Sequence, residues 1–304
     1  MRRVVVLGGY GAVGREVVAG LLGHVPEVVA AGRDLAKART VDGAIPMRID
    51  LRGDDLNRID ADAVVMCADQ ENARVAEAAL GRGIDYVDVS ASHEVLAGIE
   101  KLDGLARERE ATAVLSVGLA PGVTNLLARD LGGGDTDIGV LLGSGDRHGP
   151  SAVEWTLDSL GAIGESWRMR FPEPYGTRTV HRFPFSDQYT LPGRVRTGLC
   201  LDVRTLTALL PRLARFRDRP ALRAVLRRAH FGGDGFAVAA ASGGSVRSFT
   251  GRRQSRATGL VTAMVVRRLD GMDPGVRHIE DAVGPGFLPE LAEHGFALAQ
   301  YDAA

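Results

Sequence analysis

An apolar run, Val4-Val5-Val6-Leu7, passes directly into Gly8-Gly9-Tyr10-Gly11-Ala12-Val13-Gly14, after which Val13, Val17, Val18, Leu21 and Leu22 recur at helical spacing. A GxGxxG turn between a strand and a helix constrains the fold more than any other feature of the chain. Such a turn opens a βαβ unit of a parallel sheet, and its geometry suits a dinucleotide. Gly9 permits the sharp turn, Gly11 lets a pyrophosphate approach the backbone, and Gly14 lets the helix pack against the strand. Tyr10, Ala12 and Val13 complete the loop, and the N–H groups at the helix start face the phosphates.

The second strand, Glu27-Val28-Val29-Ala30-Ala31, ends in Gly32-Arg33-Asp34. An acidic residue at about this spacing grips the ribose 2′-hydroxyl of NAD, whereas an arginine accommodates the 2′-phosphate of NADP. Arg33 is placed to clamp that phosphate, with Lys37 one turn further on, so NADP is favoured. Asp34 keeps NAD possible, or else it caps the short helix that follows.

Further strands are expected over 44–49, 63–67, 85–89 and 112–117, with helices over 72–80 and 93–109 between them. Parallel strands with crossover helices follow, giving an α/β doubly wound Rossmann domain over residues 1–120. Asp50 stands just past strand three, and Ala68, past strand four, lies where the backbone passes the adenosine side; both are at the carboxyl ends where such sheets bind ligands. Asp50 would reach the adenine amino group, or be a solvated loop carboxylate. Beyond residue 120 the pattern changes. Pro121 opens a helix, strand-like runs occur at 138–142 and 236–241, and a helix is expected over 257–269. An inserted α+β substrate and dimerisation domain over 121–270, with a segment over 271–304 packing back on the first domain, is the expected organisation.

At 304 residues and 45% hydrophobic content the chain can bury a large core, and a formal net charge of −1 gives no pull toward nucleic acid or a membrane. Cys67 and Cys200 form no CxxC, so neither a disulfide framework nor a zinc cluster is expected, and a reducing, cytoplasmic setting fits. The apolar run behind Met1-Arg2-Arg3 is short for a signal peptide, and Gly118 with Pro121-Gly122 breaks the uncharged stretch 111–128, so neither export nor a membrane span is expected. Residues 204–228 carry eight arginines against one acid, Asp218. That is a solvated basic face or, less favoured, a landing site for an acidic carrier protein.

Several segments together resemble the saccharopine dehydrogenase-like, NADP-binding oxidoreductases. They are Gly8 to Gly14, Tyr86-Val87-Asp88-Val89-Ser90, Gly118-Leu119-Ala120-Pro121-Gly122-Val123-Thr124-Asn125, Phe185-Ser186-Asp187-Gln188 and Gln254-Ser255-Arg256-Ala257-Thr258-Gly259. The resemblance implies a Rossmann domain, an inserted domain with an open mixed sheet that also forms a homodimer, and a C-terminal return. It implies Ser90 beside the cofactor, and hydride exchange with a C=N or C–N centre of a small amino-acid derivative. The chain departs at Ala91, where saccharopine-forming members often carry tyrosine.

Hydride transfer to an imine or carbonyl needs a proton donor. No Tyr-x-x-x-Lys pair occurs, because the only lysines are Lys37 and Lys101. The candidates are His148, in a Gly/Pro-bounded loop, and Asp187, in the cluster Phe185-Ser186-Asp187-Gln188-Tyr189. Their plainer roles are a surface imidazole and a turn-capping carboxylate. Asp146, Trp155 and Gln188 are candidate substrate contacts, as are Gln254 and Ser255 at a helix start, where they either hold a carboxylate or cap the helix. No residue set has metal-ligand spacing, and no metal is expected. The alternatives to an imine reductase are a reductase of a C=C or C=O bond, on a carrier-tethered substrate if the basic face is used, and a non-catalytic NADP-binding redox sensor.

Overall fold

The computed structural model describes residues 1–53, 55–145, 156–216, 218–219 and 232–303. Strands run over Arg3–Leu7 (β1), Glu27–Gly32 (β2), Ile45–Arg48 (β3), Ala63–Met66 (β4), Asp85–Asp88 (β5), Thr112–Leu115 (β6), Thr136–Leu142 (β7), Ser166–Arg170 (β8), Thr177–Arg182 (β9), Val195–Leu201 (β10), Gly235–Ser242 (β11), Ser245–Arg252 (β12), Gly275–His278 (β13) and Ala297–Asp302 (β14). The helices used below are Ala12–Leu21 (α1), Leu35–Ala38 (α2), Arg74–Leu80 (α3), His93–Glu100 (α4), Asp103–Glu108 (α5), Thr124–Asp130 (α6), Asp187–Thr190 (α7), Arg204–Ala214 (α8) and Gln254–Val266 (α9). Two compact units result, Met1–Gly122 with Thr258–Gly284, and Val123–Ala257 with Pro285–Ala304.

The first unit is built on a parallel sheet of order β13-β6-β5-β4-β1-β2-β3. Its inner strands read as unbroken apolar runs because helices cover both faces of such a sheet. Val4, Val5, Val6, Ala63, Val64 and Val65 are all fully buried. Chain order reverses between β1 and β4, and the loops after those two strands touch. A Cβ on Gly8 would lie 2.7 Å from the Cys67 carbonyl oxygen. One sheet face packs Val64, Met66, Tyr86 and Leu115 against Val75, Leu80, Leu96 and Ile99.

The second unit is a mixed sheet of order β14-β12-β11-β7-β10-β9-β8, in which only β7 and β10 run parallel. It curls until its edge strands meet. Tyr301 Oη on β14 donates to the Arg170 carbonyl on β8 at 3.2 Å, and Arg170 Nη1 donates to the Asp302 carbonyl at 3.1 Å. The curl needs small residues on its concave face: a Cβ on Gly139 would collide with Met169 Sδ and lie 2.8 Å from the Phe171 ring. Met169 and Phe171 pack there with Leu141, Val180, Cys200, Ala237 and Ala239.

Four expectations are corrected. The helix over 93–109 is two helices, α4 and α5, because Leu102 leaves helical geometry with a tight bond from its N–H to the Ile99 carbonyl. Pro121 does not open a helix. Ala120 and Pro121 are extended and Gly122 has φ +126°, so α6 begins only at Thr124. The boundary near 270 moves to 257/258, because Gly259 of α9 lies against α1, where a Cβ would fall 2.9 Å from the Glu16 carbonyl carbon and collide with its Cβ. Close helix approach of this kind requires small residues, and Gly20 meets Ala263 in the same contact. Finally, the tail does not pack as one segment on the first domain: β13 extends the parallel sheet beside β6, whereas β14 pairs with β12 in the second sheet.

Candidate functional site

The glycine turn is a cradle that side chains would fill. Gly8 makes the sharp turn with φ +79°, a conformation that costs glycine nothing. This corrects the assignment of that role to Gly9. Gly9, in the same turn, lies against β2 instead, where a Cβ would fall 2.8 Å from Ala30 Cα. A Cβ on Gly14 would collide with the Gly8 carbonyl oxygen and lie 2.7 Å from Gly9 Cα. Gly11, the N-cap of α1, offers no side-chain cap. The N–H groups of Ala12, Val13 and Gly14, in the first turn, have no carbonyl four residues back within the helix, so they are donors for an anion. Turn, exposed amides and switch point coincide, and these residues fit a dinucleotide pyrophosphate.

The adenosine side follows along the carboxyl edge. The Tyr10 ring lies against the end of β2, 2.5 Å from where a Cβ of Gly32 would stand, and its hydroxyl accepts the Asp34 N–H at 3.3 Å. Asp34 caps α2, accepting the Lys37 N–H at 3.1 Å and pairing with Lys37 Nζ at 3.7 Å. Its carboxylate is thereby engaged locally, as the capping alternative anticipates. Arg33 is exposed, and its guanidinium has no hydrogen bond or ion pair among the described residues. Asp50 is exposed past β3, and one carboxylate oxygen accepts the Arg52 N–H at 3.1 Å. Ala68 is half-buried past β4.

Two assemblies in this unit were not foreseen. Asp88, the last residue of β5, is fully buried, and its carboxylate accepts from Tyr86 Oη at 2.8 Å, Gln70 Nε2 at 2.5 Å and the Ser90 N–H at 2.6 Å. Burial pushes the Asp88 carboxyl up, and the three donors oppose that rise. Burial and the charge of Asp88 push the Tyr86 hydroxyl well up and the Cys67 thiol up as well. Ser90, expected at the cofactor, sits at the rim of this network with its hydroxyl accepting the Ser92 N–H at 3.2 Å.

The second assembly joins three elements at the far side of the sheet. Ser116, buried just past β6 with φ +56°, lies 2.8 Å from His278 Nδ1, and His278 Nε2 lies 3.0 Å from Glu100 Oε1 at the end of α4. The imidazole ties β6, β13 and α4 together. Removing it leaves the Ser116 hydroxyl unpaired, at a cost of about 1–3 kcal/mol. His278→Ala should therefore lower unfolding stability by about that amount in chemical denaturation. Unchanged stability would mean the imidazole has no structural part.

The second unit holds the remaining described candidates. Asp187 is fully buried at the first position of α7, beside fully buried Ser186, and follows Phe183 and Phe185, whose rings are 4.9 Å apart. Gln188 is half-buried. Asn125 Nδ2 donates to Thr190 Oγ1 at 3.4 Å, which ties α6 to α7. Gln254 and Ser255 occupy the first turn of α9, both half-buried. His148, Asp146 and Trp155 lie outside the described residues. Among the described residues no group of His, Cys, Asp and Glu could hold a metal ion, and no helix is long and apolar enough to cross a membrane.

No family model matches the chain, and no curated protein matches it. Among solved structures, the chain is similar to saccharopine dehydrogenase (L-Glu forming) from Saccharomyces cerevisiae, at 16% identity and a TM-score of 0.67 over 100% of both chains. It is also similar to myo-inositol 2-dehydrogenase from Lactobacillus plantarum, at 10% identity and a TM-score of 0.50 over 100% of this chain and 99% of that one. At such identities the likeness concerns the fold, and it shows that the chain has the two-domain Rossmann architecture of these dehydrogenases.

Proposed function

We propose that the chain is an NADP-dependent oxidoreductase of the saccharopine dehydrogenase-like type, exchanging hydride with a C=N or C–N centre of a small amino-acid-derived substrate. The observation that carries this reading is the glycine cradle at the β1/β4 switch point, flanked by an exposed arginine at the tip of β2. The fold shared with saccharopine dehydrogenase (L-Glu forming) supports the substrate class.

When bound, the cofactor supplies or accepts the hydride. The chain's own residues bind and orient it. Gly8 to Gly14 and the first amides of α1 hold the pyrophosphate, Arg33 pairs with the 2′-phosphate, and the backbone at Ala68 and Ser90 borders the remaining length. The capping bond and the Lys37 pair compete with a ribose 2′-hydroxyl for the Asp34 carboxylate, which supports the NADP reading. Reduction of C=N takes one hydride and one proton, and Asp187 or His148 is assigned the proton. An iminium already carries positive charge, so holding the two reactants together supplies much of the acceleration.

The test is loss of NADPH absorbance with mixtures of 2-oxo acids and amines, against unsaturated acyl compounds and simple carbonyls. Oxidation confined to the imine-forming mixtures is expected. Oxidation by unsaturated acyl compounds alone would replace the C=N reading with reduction of C=C. Tight NADPH binding without oxidation across the panel would favour a sensor.

A further inference from the structure

Among the described residues, one side chain links the turns on the half of the parallel sheet that lies beyond the switch point. β4, β5 and β6 follow one another there, and in a dinucleotide-binding sheet this half receives the second mononucleotide, the nicotinamide half. The Asp88 carboxylate holds Gln70, in the loop after β4, and the Ser90 N–H, in the turn after β5. The main-chain carbonyl of Asp88 accepts the Val117 N–H at 3.0 Å, in the turn after β6. Tyr86, two residues earlier on the same strand face, donates to the same carboxylate, and its oxygen lies 3.2 Å from Gln70 Oε1. Asp88 and Tyr86 are both fully buried, and their polar atoms are spent on each other, on Gln70 and on Ser90.

A buried carboxylate is expensive unless its donors are present. This one spends its acceptors on the loops at Gln70 and Ser90 and on the Tyr86 hydroxyl, the polar group that shares an otherwise apolar sheet face. We propose that Asp88 is a positioning residue which, with Tyr86, holds the loop at Gln70 and the turn at Ser90 in the arrangement that receives the nicotinamide half of the cofactor. The proposal rests on the cofactor reading above. The adenine and the 2′-phosphate lie over β2 and β3, which this network does not reach, so the two ends of the ligand should respond differently.

The test compares NADPH with adenosine 2′,5′-bisphosphate, which carries the 2′-phosphate and adenosine but no nicotinamide. Asp88→Asn keeps the volume and removes the charge, and Tyr86→Phe removes only a hydroxyl. Fluorescence and calorimetric titration should show Asp88→Asn weakening NADPH about tenfold or more, the scale of a lost hydrogen bond to a charged group, with the bisphosphate unchanged. Tyr86→Phe should shift NADPH in the same direction by a smaller factor. Hydrogen exchange should quicken at residues 68–71 and at Ser90 in both variants. Equal weakening of both ligands, or no change in either with exchange at 68–71 unaltered, would overturn the proposal. If Asp88→Asn does not fold, Tyr86→Phe decides the matter by the same ratio. If the wild-type protein binds neither ligand the cofactor reading falls by itself, and exchange at 68–71 still reports whether Asp88 orders the loop.

Discussion

Replacing Gly14 with alanine is expected to abolish NADPH binding and to lower the melting temperature together. The added methyl meets backbone on two sides, the Gly8 carbonyl oxygen and Gly9 Cα, and neither is the far end of a flexible side chain. Relief requires either lifting the start of α1 off the turn or opening the turn itself. Overpacking of this kind costs roughly 1–3 kcal/mol of stability, and more where backbone must move. Displacing the first turn of α1 also re-aims the amides of Ala12 and Val13, so affinity should fall by about two orders of magnitude or more, beyond what lost stability explains. Titration at a temperature where the variant is fully folded separates the two effects. Wild-type affinity in a folded Gly14→Ala protein would show that the cradle is structural.

Arg33 carries the second large effect, and it is a difference between two ligands. An arginine–phosphate pair is a charge-assisted, frequently bidentate hydrogen bond, and hydrogen bonds to charged groups contribute roughly 1.5–3 kcal/mol. Arg33→Ser should therefore weaken NADPH by about 10- to 100-fold. NADH, which lacks the 2′-phosphate, should move less than about twofold. Because Arg33 is exposed and makes no interaction among the described residues, the substitution should leave stability unchanged. Salt should weaken NADPH more steeply in the wild type than in the variant. Equal losses for NADPH and NADH would remove Arg33 from the 2′-phosphate and return the choice of cofactor to Asp34.

The parts of the fold legible in the sequence are those whose signals are local. β1, β4 and β6 are buried on both faces, so each reads as an unbroken apolar run, and the glycine turn announces the helix behind it. β8 and β9 escaped because arginines at 168, 170, 178 and 182 interrupt them. Arg168, Arg170 and Arg182 face solvent, as strands near the edge of a curled sheet allow, whereas Arg178 is buried and donates to the Tyr175 and Asp202 carbonyls. The tail is hard to read because β13 and β14 are short and neither carries an unbroken apolar run. Which sheet each joins is decided by partners far back in the chain, β6 and β12.

The site divides in the same way. The cradle is contiguous in sequence and was found there, although the division of labour among Gly8, Gly9 and Gly14 needed coordinates. Gln70, in the loop after β4, lies 16 and 18 residues from Tyr86 and Asp88 on β5, and Ser116 meets His278 over a separation of 162 residues. No periodicity or spacing rule reaches across such distances. A carboxylate at the end of a buried strand, as at Asp88, is the one signal that was available, because a buried charge implies donors waiting for it.

The most direct test of the central claim is a pair of titrations on the unmodified protein, NADPH and NADH, followed by protein fluorescence at one ionic strength. Binding of NADPH at least about tenfold tighter than NADH is predicted, from the phosphate held by Arg33 above the contacts that both cofactors share. Failure to bind either cofactor would contradict the account from its glycine turn onward.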